Sequence, residues 1–201
     1  MFGNNGKSQL ELLIGADENV LWSGKPNKRG FILEGIFNSM LPLALFWAFI
    51  DLSIIRGIFT GDINNASNES TLFILIFMAV HMMPVWIYLF GILTVIIKYK
   101  NTQYAVTEKG VYVSSGVFTT NCDMRPFSEI TNIRVHRGLI DQMLGVGDVI
   151  LSTNDYYRTS RGRTMRYQLS IDSIRDYVEV FEYIENAQSS ISKEAKNSDP
   201  I

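Results

Sequence analysis

Large apolar residues crowd into two stretches of the chain, Phe31 to Ile50 (FILEGIFNSMLPLALFWAFI) and Leu72 to Ile97 (LFILIFMAVHMMPVWIYLFGILTVII). A bilayer crossing needs roughly 20 predominantly apolar residues. The first window holds eleven Leu, Ile, Phe or Val and the second sixteen, which sum to about −5 and about −7 kcal/mol of insertion free energy. The few polar residues do not outweigh that. Glu34 lies within a turn of the first span's start, and Asp51 falls past the end of the first window, at the interface. The pattern predicts two transmembrane helices, about 31–55 and 72–97. Pro42 and Pro84 each fall inside one of them and predict a kink. Trp47, Trp86 and Tyr88 either mark the interfaces or pack between helices.

After Ile97 the period changes to two. Tyr104 and Val106, Val111 and Val113, Ile133 and Val135, and the run Met165, Tyr167, Leu169, Ile171 alternate with polar neighbours. Such alternation marks strands with one buried face. Turn signals at Glu108-Lys109-Gly110, Ser115-Gly116, Arg137-Gly138 and Gly145-Val146-Gly147-Asp148 separate them. The period then returns to helical: Ile174, Tyr177, Val178, Phe181 and Ile184 form an apolar stripe, opened by a capping box at Ser173 to Asp176. From 189 the chain is polar and is expected to be a disordered tail. The organisation predicted is an N-terminal segment (1–30), a membrane hairpin (31–97) and one soluble domain (98–188) of about seven antiparallel strands capped by a C-terminal helix. The short apolar piece Gln9 to Ile14 (QLELLI) either packs on that domain or lies at the membrane surface, with packing preferred.

Charge sets the orientation. Lys25, Lys28 and Arg29 precede the first span and Lys98 and Lys100 follow the second, whereas the connecting loop, Thr60 to Thr71, has neither Lys nor Arg. Basic flanks stay inside, so both termini are expected in the cytoplasm, with a short external loop. Arg56 is the exception, placed to pair with Asp51 or to reach the outer headgroups. The formal net charge of −2 argues against a nucleic-acid partner. The one cysteine, Cys122, reads as a buried small residue. No secretory signal pattern opens the chain.

Three segments carry a resemblance. Val20 to Pro26 (VLWSGKP), Tyr104 to Gly116 (YAVTEKGVYVSSG) and Ile130 to Thr153 (ITNIRVHRGLIDQMLGVGDVILST) are similar to bacterial membrane-flanked PH-domain proteins, the group containing the second bacterial PH-like domain. The resemblance implies a PH-like fold on a two-span anchor in a bacterial cytoplasmic membrane. It implies no catalytic activity and leaves biochemical function open. The loop between the first two strands lacks the basic cluster that phosphoinositide binding would need.

No nucleotide-binding glycine motif, metal-spaced His or Cys set, or nucleophile elbow is present, so neither enzyme activity nor a cofactor or metal is expected. His136 with Asp141 is the one pair that resembles part of a dyad, but His136 falls on a polar strand face. Asp51 and His81 invite a proton-relay reading, against a simple packing hydrogen bond for the histidine. The strongest local anomaly is Asp155 to Arg166 (DYYRTSRGRTMR). There Arg158, Arg161, Arg163 and Arg166 stand beside Tyr156 and Tyr157 in an expected hairpin loop. They are the candidate surface for a protein partner or for anionic lipid headgroups, with a solvated hairpin as the plain alternative. The leading expectation is a membrane-anchored interaction or scaffold module that binds another membrane or peripheral protein, or a second copy of itself. A lipid sensor comes next. A small transporter, which would need oligomerisation, comes last.

Overall fold

The computed structural model describes Leu10 and residues 13–15, 18–60, 68–160 and 162–197. The chain forms two compact units, one from residues 1–31 with 97–201 and one from residues 32–96. Each is treated by itself.

The first unit is the β domain. One antiparallel sheet has the order β1 (Val20–Gly24), β2 (Gln103–Thr107), β3 (Gly110–Ser115), β4 (Asn121–Pro126), and a second has the order β5 (Ile130–His136), β6 (Gly147–Arg158), β7 (Thr164–Ile174). Side chains one position in two point between the sheets. Tyr104, Val106, Val111, Val113, Val149, Leu151, Leu169 and Ile171 meet there, as alternation requires. The helix α6 (Tyr177–Asn197) closes the open end with Val180 and Ile184, both fully buried. The outer face of the first sheet is covered as well: Leu10 and Ile14 pack on Ala105 and Tyr112. The N-terminal apolar piece therefore packs on the domain, although Gln9, Glu11 and Leu12 lie outside the described residues. A short helix, α5 (Leu139–Leu144), joins β5 to β6 and ends on Gly145 in the left-handed region, at φ 66°.

Four expectations about this unit change. The domain does not begin at 98, because Val20–Gly24 is the edge strand of its first sheet, pairing Trp22 with Val106 and Gly24 with Tyr104. The stripe of α6 is shifted: Val180 faces the core, while Val178 is 53 % exposed. The last helix does not open at Ser173, which lies within β7. That residue has φ 52°, its N–H donates to Asp148 Oδ1 (2.7 Å) and its carbonyl accepts from Asn27 N (2.7 Å). The first helical bond runs instead from Val180 N to the Asp176 carbonyl. Finally α6 runs on to Asn197, past the boundary at 188, and Gln188 Nε2 ties its body to the Ile130 carbonyl (2.5 Å).

The second unit is helical. The first apolar stretch is two helices, α1 (Lys28–Ile36) and α2 (Leu41–Thr60), bent by 56° at the break between them. Asn38 forms that break from both sides. Its Nδ2 donates to the Gly35 carbonyl (2.6 Å) and its Oδ1 accepts from Met40 N (2.8 Å), so it closes one helix and opens the next. Pro42 follows inside the first turn, where a missing N–H costs nothing. The second stretch breaks likewise into α3 (Asn68–His81) and α4 (Met83–Asn101), with Pro84 one residue after the break. Of these, α4 alone is long and apolar enough to cross a membrane, and α1 with α2 meet the test as a bent pair. Residues 61–67 of the expected external loop lie outside the described residues.

Candidate functional site

The arginine-rich segment is a two-stranded ribbon rather than a loose loop. β5 pairs with β6 only as far as Thr153, whereas β6 and β7 stay paired out to Arg158 opposite Thr164. Beyond Thr153 the ribbon therefore runs with no third strand among the described residues. Its turn is fixed by Thr159, whose N–H donates to the Arg163 carbonyl (2.8 Å) and whose hydroxyl accepts from Arg163 N (3.1 Å). Gly162 supplies the left-handed residue there, at φ 76°. Arg161 lies outside the described residues.

Residues directly opposite one another in an antiparallel pair share a face. Tyr156 stands opposite Arg166 and Tyr157 opposite Met165, so the two pairs lie on opposite faces. On the first, the Arg166 guanidinium lies 5.6 Å from the Tyr156 ring centre and donates to its hydroxyl (3.0 Å). Arg158 shares that face. On the second, Tyr157 and Met165 are each about half exposed. A shallow depression of about 600 Å³ runs beside Thr164 to Gln168, along the strand that ends the sheet.

The ribbon's one acid does not offset its arginines. Asp155 is held 3.2 Å from Arg125, a residue that reaches Glu129 as well (3.3 Å) and lies over the Tyr167 ring at 4.4 Å. Among the described residues Arg158, Arg163 and Arg166 form no ion pair, and all three are exposed. Arg125 stands thirty positions from Asp155 and carried no signal of this role. The pairing appears only once β4 is laid beside the second sheet's residues.

A different arrangement occupies the helical unit. Asp51 lies midway along α2, fully buried, and its Oδ1 is 2.5 Å from Nδ1 of His81 at the end of α3. Its partner is His81 rather than Arg56, and the histidine makes the helix-to-helix hydrogen bond expected of it. Phe77 stacks on the His81 ring (5.4 Å, 28°) and Trp47 lies 5.4 Å away on a 31° tilt. The second carboxylate oxygen, Oδ2, is buried with no hydrogen-bond partner among the described residues. Around this pair the aromatic donors repair the broken helices. Trp47 Nε1 donates to the His81 carbonyl (2.7 Å), which is free because Val85 N has turned to Met82 O. Trp86 Nε1 donates to the Ala79 carbonyl (3.2 Å), and Tyr88 OH to the Ile36 carbonyl (2.8 Å) at the end of α1. These three aromatics therefore hydrogen-bond within the unit, Trp86 remaining 53 % exposed.

The remaining polar candidates do not form a dyad among the described residues. His136 is exposed and faces Asp148 across the β5–β6 pair, while Asp141 is buried with its Oδ2 accepting from Gly138 N (2.9 Å). No hydrogen bond joins His136 to Asp141 among the described residues. Burial pushes the Asp148 carboxyl up to about 6; the nearby Asp172 and Asp141 add to the rise, and the Ser173 N–H and His136 oppose it. Burial, with Asp123 second, also pushes the Cys122 thiol up, away from the thiolate a nucleophile would need.

A protein-family model described as a bacterial PH domain matches residues 41–188, from the first residue of α2 into α6. No curated protein and no solved structure matches the chain.

Proposed function

The chain belongs to the bacterial PH-domain family, and from that premise we propose that it is a membrane-anchored interaction module. PH domains are generally non-catalytic binding modules, and no enzyme family is indicated. In this reading the helical unit sits in a bacterial cytoplasmic membrane and both termini face the cytoplasm. The β domain binds another membrane or peripheral protein there through the ribbon of β6 and β7. Support for the anchor comes from the apolar side chains that α2, α3 and α4 present outward, Phe49 and Phe73 being at least 70 % exposed. Such a surface is far outside what water tolerates.

The observation that carries the reading is the ribbon's chemistry. Exposed tyrosines, a methionine and arginines, with the local acid neutralised by Arg125, are the residue types enriched where proteins recognise each other. An acidic partner surface suits it. Because the anchor already localises the domain, the ribbon is not needed to reach the membrane. The second reading is a sensor of anionic headgroups. It rests on the same arginines, each contributing on the order of 1 kcal/mol near an anionic leaflet.

The test uses the full chain, because a fragment starting at Lys98 lacks β1 and the Leu10 and Ile14 cover. A photo-crosslinking residue replaces Tyr157 in cells, with Glu182 on α6 as the control position. The interaction reading expects a discrete protein adduct at 157, absent at 182, that disappears when Arg158, Arg163 and Arg166 are changed to Ala. Lipid adducts alone, equally dependent on the arginines, would move the sensor reading to first place. Adducts that ignore the arginines would remove both.

A further inference from the structure

The three most exposed large apolar side chains among the described residues are Met143 (86 %), Phe118 (85 %) and Leu139 (83 %). All three belong to the β unit, and none lies on the ribbon. Their locations share one property: each is borne by a segment attached to the place where α1 and α4 join the β domain.

That junction is well defined within the unit. Phe31 of α1 and Tyr99 of α4 lie ring to ring at 6.2 Å, with Lys98 Nζ 5.8 Å over the Phe31 ring. On the α4 side, Asn101 Nδ2 donates to the Gly116 carbonyl (3.1 Å) and reaches the Val117 carbonyl (3.4 Å). The β3–β4 loop is thereby tied to the last residue of the helix. The loop is also tightly closed, since a Cβ on Gly116 would fall 1.7 Å from the Thr119 carbonyl oxygen. Phe118 stands at its tip. On the α1 side, Asn27 N donates to the Ser173 carbonyl, and Gly30 packs so closely that an added Cβ would sit 3.3 Å from both Ser173 Cβ and Val146 Cγ2. Val146 directly follows α5 and its Gly145 cap. Leu139 and Met143 are four positions apart on α5 and so share one face. Lys28, Arg29, Lys98 and Lys100, all exposed, stand at the same junction.

Apolar tips projecting beside cationic side chains, next to the ends of helices that enter a bilayer, have the composition of an interfacial contact. A water-facing surface offers no reason to hold the three most exposed apolar side chains at this one end. We infer that this end of the β domain is a membrane-contacting rim, on which Phe118, Leu139 and Met143 insert into the headgroup–acyl boundary while the four basic residues face anionic headgroups. The occupant is the bilayer that the helices enter, and the inference rests on the membrane-anchored reading. The rim fixes how the domain stands on the membrane, and with it where the ribbon is presented.

Nitroxide scanning of the full chain in proteoliposomes tests this. Labels are placed, in a Cys122→Ser background, by Phe118→Cys, Met143→Cys, Leu93→Cys in the body of α4 and Glu182→Cys on α6. Collision with oxygen and with a nickel chelate then reports depth. The expected result is that labels at 118 and 143 are several-fold less accessible to nickel than the label at 182, though shallower than the label at 93. Labels at 118 and 143 matching 182, with 93 protected, would overturn the rim and leave the anchor standing. A label at 93 as nickel-accessible as that at 182 would sink the anchored reading and the rim together. Circular dichroism of each labelled chain, superimposable on that of the parent, ties the comparison to folded protein.

Discussion

The β unit and the helical unit differ in what they leave exposed. In the β unit Leu151 and Ile171 are fully buried and arginines line the surface. In the helical unit Phe49 and Phe73 are largely exposed, and a carboxylate, Asp51, is buried along with Ala44 and Met78. The contrast extends to the backbone. Sheet pairing satisfies the β unit's peptide groups, whereas the helix breaks near Pro42 and Pro84 are patched by Asn38, Trp47, Trp86 and Tyr88. Water could satisfy those carbonyls in a soluble protein. Using side chains for the purpose is what a dry surrounding demands. In the membrane-anchored reading proposed above, the two units face two different solvents.

The largest expected effect falls on the buried pair. His81→Leu leaves the Asp51 carboxylate without its partner and should cost about 3–5 kcal/mol in unfolding measured in lipid. Replacing both residues by Leu should recover most of that. A cost below about 1 kcal/mol for the single change would mean that the helical unit is not the dry environment the contrast requires.

Next comes a matched pair of truncations. Leu151→Ala should destabilise the β domain by about 3 kcal/mol through the cavity it leaves. Phe49→Ala, on a face that lipid can refill, should cost less than about 1 kcal/mol in the bilayer. Equal losses would erase the distinction between the units.

The third effect depends on pH and belongs to the β unit alone. The folded domain holds the Asp148 proton more tightly than the unfolded chain, at about 6 against an ordinary 3.8. This contribution to stability is therefore complete below about pH 4 and lost as pH rises through 6, amounting to at most about 3 kcal/mol. Asp148→Asn should flatten that part of the stability–pH curve, and an unchanged curve would show that burial does not act on this carboxyl. A further, modest effect is expected of Trp47→Phe, which keeps an aromatic ring but frees the His81 carbonyl, costing about 1–2 kcal/mol.

Much of this was legible in the chain. Period-two runs picked out Tyr104, Val106, Val111, Val113, Leu169 and Ile171, because a residue buried in a sheet announces itself through its polar neighbours. The same rule misled at the far end of β7. Met165 continues the alternation yet is half exposed, since β5 stops at Thr153 and no layer covers it. Val178 and Val180 read alike until the strand's end at Ile174 sets the phase of the helix. β1 was invisible as a strand, because VLWSG has no clean alternation and its partner lies about eighty residues later. Asp51 with His81, and Arg125 with Asp155, are long-range encounters that no local pattern encodes. For the ribbon, sequence supplied the residue types and the fold supplied the reason they remain available.

The pairing of β1 with β2 also has a consequence for how the chain is made. The first strand leaves the ribosome before either apolar helix and must wait for its neighbour until both have been synthesised. Gly24 can meet Tyr104 only if the two are on the same side of whatever the helices enter. The sheet thus acts as a parity check: an even number of crossings lets it close, and an odd number strands its edge on the far side. A chain with an odd number of crossings would be left with an unfinished β domain, the edge of β2 unpaired.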